Sequence, residues 1–430
     1  MSEIKQKELV KVTLASGMGG FIEYYAFFIA SFASASIWPK LFFSQVPDVL
    51  ATALSIASFG VVFLVRPIGA AIFGRVADRT GRRNTLLLTM LLMGVGLLGI
   101  ALLPSSSSIG VLAIILLFLF RLLFGIGIGG EFGGAVSWIS EFSSNTKWRP
   151  FWDMWATPVP FGLLFASLSF AALASVYKAN FATFGWRIPF FVGTVLVIVG
   201  VILRLAVQES PIIKEIIEKK KVDRRPAYDA LKLYGRTIAL LTFSVAFMIT
   251  LVSAIEVPYS VSYLEAKGLS SSFIDSATTL SFVFGIITLL AGFTVGSRFG
   301  RRTIMIFGAF WALISVVIFF PLINTLDHYL IILADMMLFG PTVFTIASQN
   351  ALFAESFPTK VRASGSGLSY TFGGVIAGLI TSLFIPYVIV AGGGIIKSYI
   401  YVESIGVIVV LMSIVSLLFV KETKNKASLD

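Results

Sequence analysis

Twelve long apolar segments dominate this sequence, and they constrain its fold more than any other feature. Each holds about 20 or more largely apolar residues, which is the length that a helix needs to cross a bilayer. The segments are 14–37, 50–75, 84–103, 109–138, 149–176, 187–208, 237–264, 272–297, 303–324, 329–353, 362–390 and 395–420. In lipid, a single segment satisfies its own backbone hydrogen bonds only as a helix. The sequence therefore predicts an all-α polytopic membrane protein with twelve transmembrane helices.

The composition agrees with the bilayer as the solvent of this chain. Of its 430 residues, 57% are hydrophobic and 13% are charged, whereas about 25% are charged in a soluble domain. The net charge of +11 does not indicate a nucleic-acid partner, because the basic residues concentrate between spans on one side. With the N-terminus in the cytoplasm, the outer loops hold Lys40, Lys178, Arg187, Lys267 and Lys397. We therefore expect a plasma-membrane protein with both termini in the cytoplasm.

Several activities lack the residue types that they require. The chain has no Cys and one His, His328, so thiol chemistry, Cys-based metal sites and a His-based catalytic triad are excluded or unsupported. No phosphate-binding loop for an ATPase and no filter sequence of a channel is present. We expect neither an enzyme, nor a metal site, nor a cofactor.

Charged turns repeat at an interval close to half the chain. The repeated pairs are Gly81-Arg82-Arg83 with Gly300-Arg301-Arg302, Glu141 and Arg149 with Glu355 and Arg362, and Glu209 with Glu422. Such a repeat predicts two six-helix halves, 1–208 and 237–430, which bracket a central cavity and rock around it. The polar segment 209–236 is predicted to be a basic cytoplasmic linker between them. It is either a solvated connection or an amphipathic helix on the membrane surface.

Four stretches carry a resemblance to a known family. They are Gly74-Arg75-Val76-Ala77-Asp78-Arg79-Thr80-Gly81-Arg82-Arg83, Gly129-Gly130-Glu131-Phe132-Gly133-Gly134, Gly185-Trp186-Arg187-Ile188-Pro189-Phe190 and Glu209-Ser210-Pro211. Together they resemble the metabolite:proton symporter branch of the major facilitator superfamily, which is related to sugar porters and organic ion transporters. The resemblance covers the whole chain and implies the twelve-helix fold, cytoplasmic termini and proton-coupled uptake of small metabolites.

The function that this resemblance implies is secondary active transport of an organic acid or a zwitterion by alternating access, in symport with protons. The expected partners are the lipid bilayer, a small-molecule substrate and protons, and the expected functional unit is a monomer. Two alternatives stay open. One is a uniporter or exchanger of sugars or related solutes, and the other is a multidrug-type exporter.

The first span departs from the family pattern at one position. It reads Gly20-Phe21-Ile22-Glu23-Tyr24-Tyr25-Ala26-Phe27, and the related sequences have an Asp where Ala26 stands. The resemblance implies that this Asp carries a proton, since a carboxylate inside a membrane is costly and usually functional. Three explanations stay open. The chain is a uniporter or exchanger, another acid such as Glu23 or Asp335 carries the proton, or Ala26 is an engineered replacement.

Polar residues deep in the spans are candidates for the substrate and proton site. Glu23 is either a proton or cation site or a structural partner of an arginine, and Tyr24 is expected to line the cavity. Arg121 could bind a substrate carboxylate through its planar guanidinium, stabilise a nearby acid or form a packing ion pair. Asp335 lies at the position equivalent to Arg121 in the second half. Arg66 is interpreted as a packing or gating residue rather than a substrate ligand.

The second half contributes its own candidates for the cavity wall. They are Glu256, Tyr259, Gln349, Asn350 and Tyr370. Each could instead make a hydrogen bond between helices. Pro258 is expected to break the seventh helix and to expose backbone groups to the cavity.

The loop after the second span and the charged span ends are candidates for a cytoplasmic gate. Glu131 is expected to form an ion-pair cluster with Asp78 and Arg82. The alternative for the loop is a basic turn that serves only insertion. The full set of gating and loop candidates is Gly74, Asp78, Arg79, Gly81, Arg82, Arg83, Glu131, Glu141, Arg149, Glu355 and Arg362.

Overall fold

The computed structural model describes residues 3–143, 149–207, 226–358 and 361–424, and it describes only the backbone at 3–6, 77–80, 82, 149–150, 179, 226 and 297. Across these residues, twelve helical segments are long and apolar enough to cross a membrane, and no strand occurs. The spans are Lys7–Ser36, Asp48–Val76, Arg83–Leu102, Val111–Ser143, Phe151–Tyr177, Gly185–Leu205, Ala227–Ala266, Ser271–Gly296, Arg301–Ile323, His328–Glu355, Arg362–Ala391 and Tyr399–Phe419. The predicted all-α, twelve-span architecture is confirmed.

The seventh span differs most from its predicted bounds. It begins with the helix Pro226–Thr250, whose backbone is non-helical at Tyr234, so residues 226–233 of the predicted linker form a short helix that joins this span at a kink. Helix-forming residues such as Leu231 and Leu233 favour this short helix. The remaining part of the linker, 209–225, lies outside the described residues.

Several spans change helical geometry near their centres. The fourth span is interrupted at Gly130, between helices Val111–Gly129 and Glu131–Ser143. The seventh widens into a π-helical segment, Leu251–Tyr259, which contains Pro258. The predicted break at Pro258 is therefore a widened turn within a continuous span, because a π-turn accommodates the missing N–H without ending the helix.

The same contact occurs within each half, between its third helix and the end of its sixth helix. Gly81 and Gly300 precede these helices with φ of 99° and 113°, a backbone region that glycine adopts without strain. Arg83 then donates to the carbonyl oxygens of Arg204 and Leu205, at 3.1 and 2.5 Å. In the second half Arg302 donates to those of Leu417 and Leu418, at 2.8 and 2.7 Å. The repeat seen in the sequence thus reflects a repeated structural contact.

The two halves contact each other on both sides of the molecular centre. On one side, Ser36 Oγ donates to Glu265 Oε1 at 2.9 Å, and Ser262 Oγ to the carbonyl of Ala35 at 3.2 Å. On the other side, Asn350 Nδ2 donates to Thr157 Oγ1 at 2.8 Å. A small cavity lies between these two sets of contacts.

Candidate functional site

The central cavity is the candidate substrate site. Its volume is about 50 Å³, which is room for on the order of one or two water molecules. The first half contributes Glu23, Tyr24, Phe27, Phe63, Arg66, Thr157 and Val159, and the second half contributes Met248, Ile249, Val252, Thr342, Ile346, Gln349 and Tyr370. A metabolite therefore requires the halves to separate around these residues.

An ion pair between the first two spans lines this cavity. Arg66 Nη2 lies 2.9 Å from Glu23 Oε1, and both side chains are 3% exposed. The Arg66 guanidinium also lies over the Phe63 ring, 4.4 Å from its centroid. Neither Arg66 Nε nor Glu23 Oε1 has a hydrogen-bond partner of regular geometry. The charges are thus paired, but part of the hydrogen-bonding capacity of the arginine stays unused.

Two tyrosines join the halves beside this ion pair. The hydroxyls of Tyr24 and Tyr370 lie 2.7 Å apart, and the Tyr370 hydroxyl also lies near the guanidinium of Arg66. The Tyr370 ring stacks on Phe132 with centroids 3.9 Å apart. Glu23, Arg66, Tyr24 and Tyr370 therefore form one polar cluster, with two members from the first span and one from each of two others.

Backbone packing explains why Arg66 has this position. A Cβ on Gly69 would collide with the carbonyl oxygen of Ile126, and one on Gly129 would collide with that of Arg66. Glycines at both places allow the second and fourth spans to touch along their backbones. This contact fixes the rotation of the second span, so that Arg66 is the arginine of the cavity wall.

The structure places Arg121 differently from the sequence interpretation that favoured it as a substrate ligand. Arg121 is buried but is not among the residues that line the cavity. It donates to the carbonyl oxygens of Phe59 and Ser58 at 2.8 and 3.4 Å, and its guanidinium lies 5.3 Å from the centroid of the Phe59 ring. The sequence interpretation of Arg66 as a packing or gating residue is correspondingly incomplete, because Arg66 contacts both Glu23 and the cavity.

The other predicted site residues divide into two groups. Gln349 lines the cavity, and Asn350 beside it donates to Thr157, which also lines it. Ala26, Glu256, Tyr259 and Asp335 are buried away from the cavity lining. The Tyr259 hydroxyl donates to the carbonyl of Ile395 at 2.6 Å and contacts Ser398 Oγ at 2.8 Å. For Tyr259 the interhelical hydrogen bond is the role that these contacts favour.

Glu131 has a partner that the sequence interpretation missed. It forms a buried ion pair with Arg204 of the sixth span, and Thr89 Oγ1 donates to its Oε2 at 3.0 Å. Arg204 is fully buried and also donates to the carbonyl of Ala15 at 3.2 Å. The side chains of Asp78, Arg79, Arg82 and Arg149, predicted as members of the gate, lie outside the described residues. The available sequence signal for Arg204 was a basic residue within the sixth apolar segment.

The gating candidates of the second half are Glu355, at the end of the tenth span, and Arg362, at the start of the eleventh. Glu355 Oε2 accepts from Thr423 Oγ1 at 2.6 Å and lies 3.6 Å from Arg301 Nε. Arg362 Nε donates to the carbonyl oxygens of Ala354 and Phe357 at 3.0 and 3.3 Å. In the first half, Glu141 is buried at the end of the fourth span, and Gly74 lines a crevice of about 20 Å³ with Gly130 and Gly133.

Glu422 follows the last span and fixes the turn before the ninth. Its carboxylate accepts the backbone N–H of Arg301 at 2.9 Å and that of Arg302 at 3.1 Å. Partial burial raises the pKa of Glu422, but these bonds and those from Lys424 and Thr423 outweigh it, and the pKa lies below the usual value. The charged form is therefore the one that holds this turn.

Two halves around a central cavity, with contacts between the halves on both sides of it, form the arrangement of a membrane transporter. The sequence profile of the family described as Sugar (and other) transporter matches residues 12–232 and again 213–428. The chain belongs to this family, so the resemblance to the major facilitator superfamily is confirmed, and the protein is a multi-pass membrane transporter rather than an enzyme.

Individual relatives agree with this assignment. The chain is 32% identical to the inner membrane metabolite transport protein YhjE of Escherichia coli, over 88% of this chain and 86% of that one. It is 30% identical to the shikimate transporter of E. coli (86% and 85% covered) and to the proline/betaine transporter of E. coli (88% and 78%). Among solved structures, it is similar to the xylose transporter XylE from E. coli in a partially occluded inward-open conformation, with a TM-score of 0.75, 19% identity and 98% and 99% covered.

Proposed function

We propose that this protein is a secondary active transporter that carries a small carboxylate-bearing metabolite, an organic acid or a zwitterion, together with a proton. The observation that carries the proposal is the Glu23–Arg66 ion pair in the wall of the cavity between the halves. Shikimate, proline and betaine, which name two of the relatives, all bear a carboxylate. An arginine with unused donors is the group that suits such a ligand.

Competition for Arg66 provides the coupling mechanism. Glu23 and the carboxylate of a substrate are alternative partners of one buried guanidinium. An unpaired charge is costly in this environment, so Arg66 is released to the substrate when Glu23 takes up a proton. Substrate and proton then enter together, because the loaded cluster of protonated Glu23, Arg66 and substrate anion has the same net charge as the empty ion pair.

Release follows from the same competition. When the cavity opens to the other side, loss of the proton from Glu23 restores a carboxylate that displaces the substrate from Arg66. The Tyr24–Tyr370 contact joins the halves beside the ion pair, so it must break as the cavity widens. Gln349 and Thr157, both in the cavity wall, provide polar groups for the rest of the substrate.

An exchanger is the second candidate, and Ala26 is the observation that favours it. The family pattern implies a proton-carrying Asp at this place, and this chain has a buried methyl group there. In an exchanger, Glu23 would stay ionised throughout, and Arg66 would pass from Glu23 to one substrate and then to the next. Exchange and proton-driven accumulation separate the two candidates.

The test is transport by the purified chain in liposomes. Counterflow would be measured with monocarboxylates, dicarboxylates, aromatic acids, betaine-type zwitterions and sugars, followed by accumulation driven by an inward proton gradient. We expect one carboxylate class to exchange and to accumulate, and Arg66→Gln to abolish both activities. Tyr259→Phe is the control, since it removes a buried hydroxyl outside the cavity. Exchange of sugars without any carboxylate would refute the substrate class, and exchange without accumulation would assign the second candidate.

A further inference from the structure

Two carboxyl groups of the second half lie buried outside the central cavity. Glu256 is on the π-helical segment Leu251–Tyr259 of the seventh span, and Asp335 is on the tenth span. Their side chains are 1% and 2% exposed, and neither lines the cavity. The π-helical segment and the helix that carries Asp335 pack against each other. The mechanism proposed for Glu23 and Arg66 makes no use of these two carboxyls.

Hydrogen bonds satisfy these carboxyls only in part. Glu256 Oε1 accepts from Ser281 Oγ at 3.3 Å, whereas Glu256 Oε2 and Asp335 Oδ1 have no hydrogen-bond partner. In the described part of the chain, neither carboxyl forms an ion pair with a basic side chain. Both groups therefore have unused oxygens directed into protein from which water is excluded.

Among the described residues, the neighbouring helices supply no compensating positive charge. Away from their ends, the charged side chains of these helices are Glu23 and Arg66, which pair with each other, Asp275, which lies near Glu265, and Glu403 of the twelfth span. Arg301, Arg302, Arg298 and Arg362 lie at the ends of the eighth, ninth and eleventh spans. Tyr259 and Tyr263, the titratable groups that follow on the seventh span, are engaged by Ser398 and Asn324. Two ionised carboxylates in this place would have no counter-ion.

We propose that Glu256 and Asp335 form a second proton-binding site, in which at least one of the two carboxyls holds a proton. Two buried carboxylates in the same region without a cation lose their hydration and repel each other, so a proton on one of them is the state that removes one charge. The ligand is a proton rather than a metal ion, because no group of three or more metal-ligating side chains occurs among the described residues.

The same two spans connect this site to the central cavity. Val252 lies one helical turn from Glu256, Thr342 lies two turns from Asp335, and both line the cavity wall. Val252 and Glu256 both lie on the π-helical segment Leu251–Tyr259, and π-helical segments occur often at functional sites. When the halves separate, the seventh and tenth spans move away from the first half, and this changes the surroundings of the two carboxyls. The link to transport rests on the proposed function, but binding of a proton by the pair does not.

An infrared measurement tests proton binding without transport. In membranes at neutral pH, we expect a carbonyl stretch of a protonated carboxyl that is lost in Glu256→Gln/Asp335→Asn and retained in Glu265→Gln, which removes an acid of the same half whose Oε1 accepts hydrogen bonds from Ser36 and Ser271. Ser281→Ala keeps both carboxyls and removes the hydrogen bond to Glu256, so it should shift the frequency of the same band. This shift would assign the band to the pair even if the double variant fails to fold. A band that is unchanged in the double variant overturns the proposal.

The number of protons moved per substrate tests the link to transport. From accumulation at imposed proton gradients, we expect Glu256→Gln to move one proton fewer per substrate while counterflow persists, and Glu265→Gln to move as many protons per substrate as the wild type. If substrate class and Glu23 fail their own tests but the infrared band behaves as expected, the pair remains a proton site and only the proposed function fails. A sodium requirement that disappears in Glu256→Gln would overturn the assignment of the ligand as a proton.

Discussion

Removal of the Glu23 carboxylate should strengthen the binding of a carboxylate substrate while it removes one of the protons that move with the substrate. Glu23→Gln keeps the size of the side chain but leaves Arg66, which is 3% exposed, without an anionic partner. A buried charge that has lost its partner destabilises a protein by about 3–5 kcal/mol. A substrate carboxylate restores a partner, so the variant should gain more thermal stability from substrate than the wild type does.

The gain in affinity is set by the hydrogen bond between Arg66 and the substrate carboxylate, for which Glu23 no longer competes. A hydrogen bond to a charged group contributes about 1.5–3 kcal/mol, and about 1.4 kcal/mol is tenfold in affinity. Binding should therefore become roughly ten- to a hundredfold tighter at pH values where Glu23 of the wild type is ionised. The affinity of the variant should be independent of pH, whereas that of the wild type should weaken as the pH rises.

Binding of a labelled substrate to the purified protein, measured across pH, is the assay. Glu403→Gln is the matched control, because it removes a partly exposed carboxylate of the twelfth span away from the cavity. It should change neither the affinity nor its pH dependence. The reasoning is refuted if Glu23→Gln binds carboxylates no more tightly than the wild type at high pH, or if it moves as many protons per substrate as the wild type.

Four further predictions concern individual residues. Tyr370→Phe removes the 2.7 Å contact with Tyr24 and keeps the stacked ring, so the halves should separate more easily, by about 1 kcal/mol, and counterflow should be faster by several-fold. Glu131→Gln leaves Arg204 buried without its anion and should lower the free energy of unfolding by about 3–5 kcal/mol; unchanged thermal stability would contradict this. Ala26→Asp restores the family pattern. It should raise proton-driven accumulation above that of the wild type, while counterflow, measured in the same liposomes, stays unchanged. Glu422 has a lowered pKa in the folded protein, so its contribution to stability is present above the unfolded pKa and is lost as the pH falls through the folded pKa. The melting temperature of Glu422→Gln should therefore depend less on pH over that acidic range than the melting temperature of the wild type.

The sequence predicts the number and order of the spans, because apolar length is a local property of each segment. It does not predict which arginine faces the cavity. Arg66 and Arg121 are both basic residues within apolar segments, and the difference between them arises from the rotation of each helix. The contact between the second and fourth spans at Gly69 sets that rotation for Arg66. The pairing of Glu131 with Arg204 is equally hidden, since the partners are 73 residues apart.

The buried charges differ between the halves, and this difference assigns them different roles. In the first half, Glu23 pairs with Arg66 and Glu131 with Arg204, and Arg121 is held by two backbone carbonyls. Each of these charges has a partner within the protein without a proton or a substrate. In the second half, Glu256 and Asp335 have no cation in the described part of the chain, so they reach a comparable state only by binding a proton. The first half is therefore suited to exchange one anion for another at Arg66, and the second half to respond to the proton concentration. A transporter with both properties can link the direction of substrate movement to the proton gradient even though it has Ala at position 26.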